Sequence, residues 1–149
     1  SFKSEVTGSG NTKITTDAEV CSVEHTGSGN TIFINENKNS KIKFEHTGSG
    51  NTDLKIISNS FDFSTLGSGN TKINGSTISL KLEASGSGDV IGDSFISDNC
   101  NINMYGSGNV EIGCNKTADI EIMGSGDLSL KGDYKINKIL INGSGKLKK

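Results

Sequence analysis

The tripeptide Gly-Ser-Gly, followed in most copies by Asn or Asp, recurs along the whole chain at nearly constant intervals. Its first glycine stands at positions 8, 27, 48, 67, 86, 106, 124 and 143. The successive intervals are 19, 21, 19, 19, 20, 18 and 19 residues, so eight copies delimit seven units. A fixed period near 20 residues is typical of a solenoid, in which each unit buries its apolar face only by stacking on its neighbours.

The residues before each Gly-Ser-Gly alternate between apolar and polar types. Six positions upstream of the first glycine stand Phe2, Cys21, Ile42, Phe61, Leu80, Cys100, Ala118 and Asn137. Four positions upstream stand Ser4, Val23, Phe44, Phe63, Leu82, Ile102, Ile120 and Ile139. Two positions upstream stand Val6, His25, His46, Thr65, Ala84, Met104, Ile122 and Ile141. This period of two, repeated eight times, predicts one half-buried strand before every Gly-Ser-Gly.

A second short strand is predicted after each tripeptide. Its first inward column contains Thr12, Thr31, Thr52, Thr71, Val90, Val110 and Leu128. Its second contains Ile14, Phe33, Leu54, Ile73, Gly92, Ile112 and Leu130. The middle of each unit varies in length, and the extra residues of the 21-residue unit fall at 35–40. We expect a single domain over residues 1–149, a right-handed parallel β-helix of about seven coils.

Glycine is expected to be required at both ends of every tripeptide, because a sharp corner needs unusual φ angles and lets stacked backbones approach closely. The predicted structural corners are therefore Gly8, Gly10, Gly27, Gly29, Gly48, Gly50, Gly67, Gly69, Gly86, Gly88, Gly106, Gly108, Gly124, Gly126, Gly143 and Gly145. The Asn or Asp that follows can either cap its own turn or stack as a hydrogen-bonded ladder.

The repeated Gly-Ser-Gly-Asn-Thr, Gly-Ser-Gly-Asp-Val and Gly-Ser-Gly-Asn-Val segments resemble those of the autotransporter adhesin head domains, also called GIN domains. The resemblance extends from Gly8 to Gly145 and is moderately specific. It implies a β-helical fold and a secreted or surface-associated protein. This chain differs from typical bacterial members in its Asn- and Lys-rich composition and in lacking arginine.

Composition argues against several classes of function. The net charge is −2 and arginine is absent, whereas nucleic-acid binders normally present a basic surface rich in arginine. No apolar run reaches the roughly 18–20 residues needed to cross a bilayer, so we expect no direct membrane insertion. The chain begins at Ser1 without a visible signal segment, which indicates a processed form or a fragment. Motifs for nucleotide binding or hydrolysis are lacking, so we expect no enzymatic activity and no cofactor.

Two side-chain groups are candidates for metal binding or reactivity. His25 and His46 occupy one inward column a coil apart, where they either share a metal or form a stacked, hydrogen-bonded core pair. We favour the core pair because the column offers no third ligand. Cys21, Cys100 and Cys114 are expected to be buried, unpaired thiols, since the first two lie about 19 Å apart by strand spacing.

The outward face before the corner carries a column of carboxylates: Glu5, Glu24, Glu45, Glu83 and Glu121. An adjoining outward column carries Lys3, Lys43, Lys81 and Lys138. These columns predict a solvated face whose opposite charges offset each other, with glycan or cation binding as the alternative role. Asn74, Asn115 and Asn142 stand in glycosylation sequons, which matter only in a secretory setting.

A β-helix has two open ends, and no capping element is recognisable at either one. The residues predicted to form the ends are Phe2, Ser4, Val6, Leu147, Lys148 and Lys149. Because the first and last half-coils are complementary, we expect copies to stack head to tail into a surface or extracellular fibre or an adhesive stalk. The terminal lysines can instead protect the edge and keep the rod monomeric.

Overall fold

A computed structural model describes all residues, 1–149, and it is a parallel β-solenoid without helices. The strands are β1 (Phe2–Thr7), β2 (Thr12–Thr15), β3 (Val20–Thr26), β4 (Thr31–Glu36), β5 (Lys41–Thr47), β6 (Thr52–Gly67), β7 (Thr71–Gly86), β8 (Val90–Gly106), β9 (Val110–Gly124), β10 (Leu128–Lys131), β11 (Lys135–Asn142) and β12 (Leu147–Lys148). Every pairing between strands is parallel. No helix is long and apolar enough to cross a lipid bilayer.

The coils stack in the register that the repeat predicts. Before the corner, strand pairing places Val23 between Ser4 and Phe44 on the neighbouring coils, and Phe63 follows Phe44. Strands β6 to β9 each run through almost a whole coil. The strand before the corner is present in eight stacked copies, so the solenoid has about eight turns where the sequence predicted about seven.

The core is a single apolar cluster that runs the length of the solenoid. Five of the six phenylalanines form a continuous chain within it. Phe33 packs on Phe44, Phe44 on Phe63, Phe63 on Phe61 and Phe61 on Phe95, with ring centroids 5.6, 5.9, 5.7 and 6.3 Å apart. The two inward columns predicted after the corner are buried from the second coil onward, and the first of them includes Thr31, Thr52 and Thr71. The prediction that this threonine column faces the core is confirmed.

The corner glycines act as expected, for two different reasons. Gly48 has φ = 133°, a backbone conformation that side chains with a Cβ rarely adopt. Gly50 has no such φ, but a Cβ there would overlap the carbonyl oxygen of Gly29 on the preceding coil. The corner is therefore a column of backbone in direct contact, with no space for side chains between coils.

Three irregularities mark places where the repeat is not kept. Residues 37–40 form the extra loop of the 21-residue unit, inside the predicted segment. Between Ile91 and Ile96, β8 bulges against β9. In β11 the prediction that Asn137 continues the inward column is wrong. Ile136 pairs with Ala118 and Lys138 with Asp119, so Asn137 is the extra residue of a bulge.

Candidate functional site

The polar residue that follows each Gly-Ser-Gly forms a hydrogen-bonded ladder along the solenoid. The sequence left two roles open for this side chain, capping its own turn or bonding in a ladder. In the structure it accepts a hydrogen bond from the next coil and does not cap its own turn. On each coil the backbone N–H of this residue donates a hydrogen bond of 2.8–3.1 Å to the side-chain Oδ1 of the equivalent residue on the preceding coil. The residues joined in this way are, in order, Asn11, Asn30, Asn51, Asn70, Asp89, Asn109, Asp127 and Lys146. We call this set of residues the Asn/Asp ladder.

The ladder fixes the orientation of its amide groups. Since Oδ1 of Asn51 accepts from the backbone of Asn70, the Nδ2 group of Asn51 must point away from that bond. The same holds for Asn30 and Asn70. None of these Nδ2 groups has a hydrogen-bond partner within the protein, and all three residues are exposed. The result is a row of oriented N–H donors at the coil spacing of about 4.8 Å.

A groove runs parallel to the solenoid axis beside this ladder. Its first part is a depression of about 330 Å³ lined by Asn30, Thr31, Ile32, Asn51, Thr52, Asp53, Asn70, Thr71, Lys72 and Ile91. Its second part, about 240 Å³, is lined by Asp89, Val90, Ile91, Asn109, Val110, Glu111, Asp127, Ser129 and Lys148. Ile91 belongs to both, so the two depressions form one surface, which we call the axial groove.

The two halves of the axial groove differ in chemistry. In the first half three neutral amides stand opposite Ile32 and Ile91, whose residues are 41 % and 42 % exposed. In the second half Asp127 pairs with Lys148 at 3.1 Å. The hydrogen bond from Lys148, together with the backbone N–H of Lys146, lowers the pKa of the Asp127 carboxyl. The first half therefore combines neutral amides and apolar side chains with one carboxylate and one ammonium group, whereas the second half has three carboxylates, Asp89, Glu111 and Asp127.

The predicted carboxylate column lies on the outward face before the corner, as expected. Glu5, Glu24 and Glu45 are direct neighbours on successive coils. Lys3 lies 2.9 Å from Glu5 and Lys43 lies 3.2 Å from Glu45, and these exposed pairs offset the repulsion between stacked carboxylates.

Farther along the same face, Glu121 lines a depression of about 190 Å³ with Asn101, Asn103, Asp119, Ile120 and Lys138. Glu83 lies between Ser64 and Asn103 in the column, so no carboxylate adjoins it there. No group of three His, Cys, Asp or Glu side chains converges in a way that could hold a metal ion. Glycan or cation binding by the carboxylate column stays a prediction.

His25 and His46 form a stacked pair in the core, with ring centroids 5.1 Å apart and an angle of 5° between the ring planes. Their lone pairs lie in the parallel ring planes, so the two rings cannot point at one metal ion between them. The prediction that the pair is hydrogen-bonded is wrong, because all four ring nitrogens are buried without a partner. Burial lowers the pKa of His25 and of His46, and His25 lowers that of His46 further.

The three cysteines are free and buried, as predicted. Burial raises the pKa of the Cys21 thiol. The hydrogen bond that Cys100 donates to Cys114, together with burial, raises the pKa of Cys100, and the same bond lowers the pKa of Cys114. The raised pKa favours the unreactive protonated form of Cys21 and Cys100, whereas Cys114 is shielded by its burial.

Within residues 1–149, the first and last coils each have a strand edge that pairs with no other strand of this range. At the N-terminal end β1 pairs only with β3, and β2 only with β4. At the C-terminal end β11 pairs only with β9, and β12 only with β10. Phe2, Ser4, Val6 and Leu147 are partly buried, whereas Lys148 and Lys149 are exposed. The sequence predicted these end residues but not that Ile139, Leu140 and Ile141 of β11 are 39–47 % exposed.

The sequence also did not single out the donor row or the two isoleucines of the axial groove. The signal that could have identified the two isoleucines was their position in the repeat. Ile32 and Ile91 fall between two inward columns and so had to point outward, where their neighbours Asp53 and Lys72 are charged.

Comparison with known proteins gives a family and a fold. Residues 3–133 match the family described as "Putative auto-transporter adhesin, head GIN domain". A crystal structure of a "Putative lipid binding protein" from Parabacteroides distasonis is similar, with a TM-score of 0.82 and 25 % sequence identity. The alignment covers 99 % of this chain and 61 % of that one. No curated protein matches the chain in sequence. Because the family match extends over most of the solenoid, this chain belongs to the auto-transporter adhesin head GIN domain family.

Proposed function

We propose that the protein is a non-enzymatic structural solenoid of a cell-surface or extracellular assembly, and that its copies stack head to tail. The observation that carries this proposal is that the first and last coils of residues 1–149 have the same strand direction and the same parallel pairing. The family name, which refers to adhesin heads, supports a surface location. The regular stacking of similar coils along residues 1–149 supports a structural role.

Aligned on their corners, the last coil of one copy and the first coil of the next match in register. Ile141 then lies opposite Val6, and Ile139 lies opposite Ser4. Apolar side chains that are partly exposed in a single copy become covered at the junction, which favours association. Lys138 then faces Lys3, so the junction is weaker than the contacts between coils within one copy. Assembly is therefore expected to depend on concentration.

Gly10 offers a selective test of stacking. Gly29 and Gly50 each lie against the carbonyl of the equivalent glycine on the preceding coil, but Gly10 is in the first coil and has no neighbour within 4 Å. Its φ is not in the positive range. Gly10→Ala is thus compatible with an isolated molecule, whereas in a stack the added methyl group would overlap Gly145 of the preceding copy.

The experiment is sedimentation velocity with negative-stain microscopy over a concentration series of the native chain, Gly10→Ala and the corner control Ser9→Ala. We expect filaments from the native chain and from Ser9→Ala, and monomers from Gly10→Ala with unchanged thermal stability. A native chain that stays monomeric at millimolar concentration would overturn the proposal. So would filaments formed equally well by Gly10→Ala.

A further inference from the structure

We propose that the first half of the axial groove binds an extended polysaccharide chain, with about one sugar ring for each coil. This site is separate from the open ends and does not rest on head-to-tail stacking. It is also separate from the carboxylate column, which lies on the face before the corner.

The donor row is the first argument. Asn30, Asn51 and Asn70 present oriented Nδ2 groups whose partners are not supplied by the protein, at intervals of about 4.8 Å. Fixed donors bind without losing side-chain entropy, because the ladder has already immobilised the amides. A ligand with hydroxyl or ring oxygens repeating at this interval satisfies all three donors at once.

The opposite wall is the second argument. Ile32 and Ile91 stand three coils apart, about 14 Å, and bracket Asp53 and Lys72. A pyranose ring presents C–H groups on its faces and hydroxyl groups around its rim. The two isoleucine side chains can pack against the C–H faces, and the carboxylate of Asp53 and the ammonium group of Lys72 can hydrogen-bond with the hydroxyl groups. The first half of the groove therefore matches both surfaces of a sugar chain.

Other extended ligands fit less well. A β-strand peptide advances 3.2–3.4 Å per residue, which does not match the coil spacing. A nucleic acid requires a row of cations, and here the donors are neutral amides. A lipid acyl chain cannot hydrogen-bond, so it would leave the amide row and the Asp53 carboxylate without partners. An extended, equatorially linked pyranose chain advances by close to the coil spacing for each ring.

The ladder itself supplies variants that change the donors without breaking the fold. Asp89 and Asp127 already serve as ladder residues, so an aspartate accepts the backbone hydrogen bond as well as an asparagine does. Asn51→Asp/Asn70→Asp therefore keeps the ladder and replaces two donors with acceptors. Asn109→Asp makes the same chemical change in the second half of the groove and serves as the matched control.

The binding measurement is an NMR titration of ¹⁵N-labelled Gly10→Ala, which is expected to be monomeric, with cellohexaose, chitohexaose and laminarihexaose. We expect at least one of them to shift the side-chain amide signals of Asn30, Asn51 and Asn70. Asn51→Asp/Asn70→Asp should then weaken its affinity about tenfold, because two hydrogen bonds are lost. Asn109→Asp should leave the affinity within about twofold. If Gly10→Ala itself assembles, stacking is refuted but the titration remains valid at low concentration.

A second pair of variants tests the apolar wall. Ile32→Ser should weaken binding, whereas Ile78→Ser should not, since Ile78 is an even more exposed isoleucine and lies outside the groove. The proposal is overturned if none of the three hexasaccharides binds, or if Asn51→Asp/Asn70→Asp binds like the native chain. A lipid site is the other outcome that overturns it. In that case the protein would bind phosphatidylcholine or phosphatidylglycerol vesicles but no sugar, and Ile32→Ser would abolish the vesicle binding.

Discussion

The backbone N–H of Lys146 donates a 3.0 Å hydrogen bond to Oδ1 of Asp127, and Lys146 has no side-chain oxygen with which to repeat that bond. The Asn/Asp ladder therefore starts with an acceptor at Asn11 and ends with an aliphatic ammonium side chain. In a head-to-tail stack, the N–H of Asn11 would face Lys146 and find no partner there. In such a stack, aligned on the corners, the junction would lack this one ladder hydrogen bond.

Replacing Lys146 should strengthen stacking. Lys146→Asn supplies the missing acceptor, and one added hydrogen bond is expected to lower the concentration needed for assembly roughly 2- to 10-fold. Sedimentation velocity over a concentration series measures this. Lys149→Asn removes the same charge at the same end without extending the ladder, and it serves as the control. Equal assembly by the two variants would show that the ladder does not continue between copies.

Gly50→Ala should destabilise the fold severely, whereas Gly10→Ala should not. Both glycines hold the third position of a corner, but only at Gly50 would a Cβ overlap the backbone of the preceding coil. We expect the free energy of unfolding to fall by roughly 2–4 kcal/mol or more for Gly50→Ala. Urea denaturation followed by circular dichroism compares the two variants. Equal stability would mean that the corners do not stack backbone on backbone.

Stability should fall as the solution is acidified through about pH 6.5. Burial lowers the pKa of His25 and His46 below the ordinary value of 6.5, so the folded protein holds them neutral while the unfolded chain takes up protons. The free energy that the two neutral histidines contribute to stability is fully present above the pKa of the unfolded chain. It is lost as the pH falls from there through the lower pKa of the folded protein. Two imidazoles set an upper limit of about 2.7 kcal/mol per pH unit on the slope.

These are the chain's two histidines, so His25→Leu/His46→Leu should flatten the stability profile between pH 7.5 and 5. Glu24 and Glu45, beside them in sequence, lie on the opposite face of the strand and cannot stabilise an imidazolium in the core. Urea midpoints at several pH values provide the measurement. An undiminished slope in the double variant would assign the acid sensitivity to other groups.

The three thiols should resist modification in the folded state. Cys21, Cys100 and Cys114 are each no more than 4 % exposed, and the raised pKa of Cys21 and Cys100 keeps these two protonated. Reaction with a colourless aromatic disulfide, followed by absorbance, should therefore be slow in buffer and rapid in denaturant. Rapid reaction of one thiol in buffer would reveal local opening of that coil, and single Cys→Ser variants would identify it.

Most of the fold could be predicted because the repeat acts as an internal alignment. Once Gly27 and Gly48 were placed in register, the burial of Val23 and Phe44 followed from the period of two. The bulge at Asn137 could not be predicted this way, since counting from Gly143 assumes an unbroken strand. The chain inserts one residue there, and this brings Ile136 into the inward column in place of an asparagine.

The binding surfaces were less accessible to prediction because they depend on which atom of a side chain is engaged. The sequence allowed the Asn side chains two roles, and only the 2.9 Å bond from Asn51 N–H to Asn30 Oδ1 decides between them. Likewise, the shared column of His25 and His46 predicted stacking, but not that the surrounding core offers their nitrogens no partner.

The one-way direction of the Asn/Asp ladder has a consequence for how the chain acquires its structure. Each coil offers its Oδ1 acceptor to the coil that follows it in sequence, and strand pairing likewise joins each coil to the next. A ribosome releases the N-terminal coil first, so each later coil meets a finished template as it emerges. Such a chain can fold by stepwise addition at one growing end, without waiting for its C-terminus.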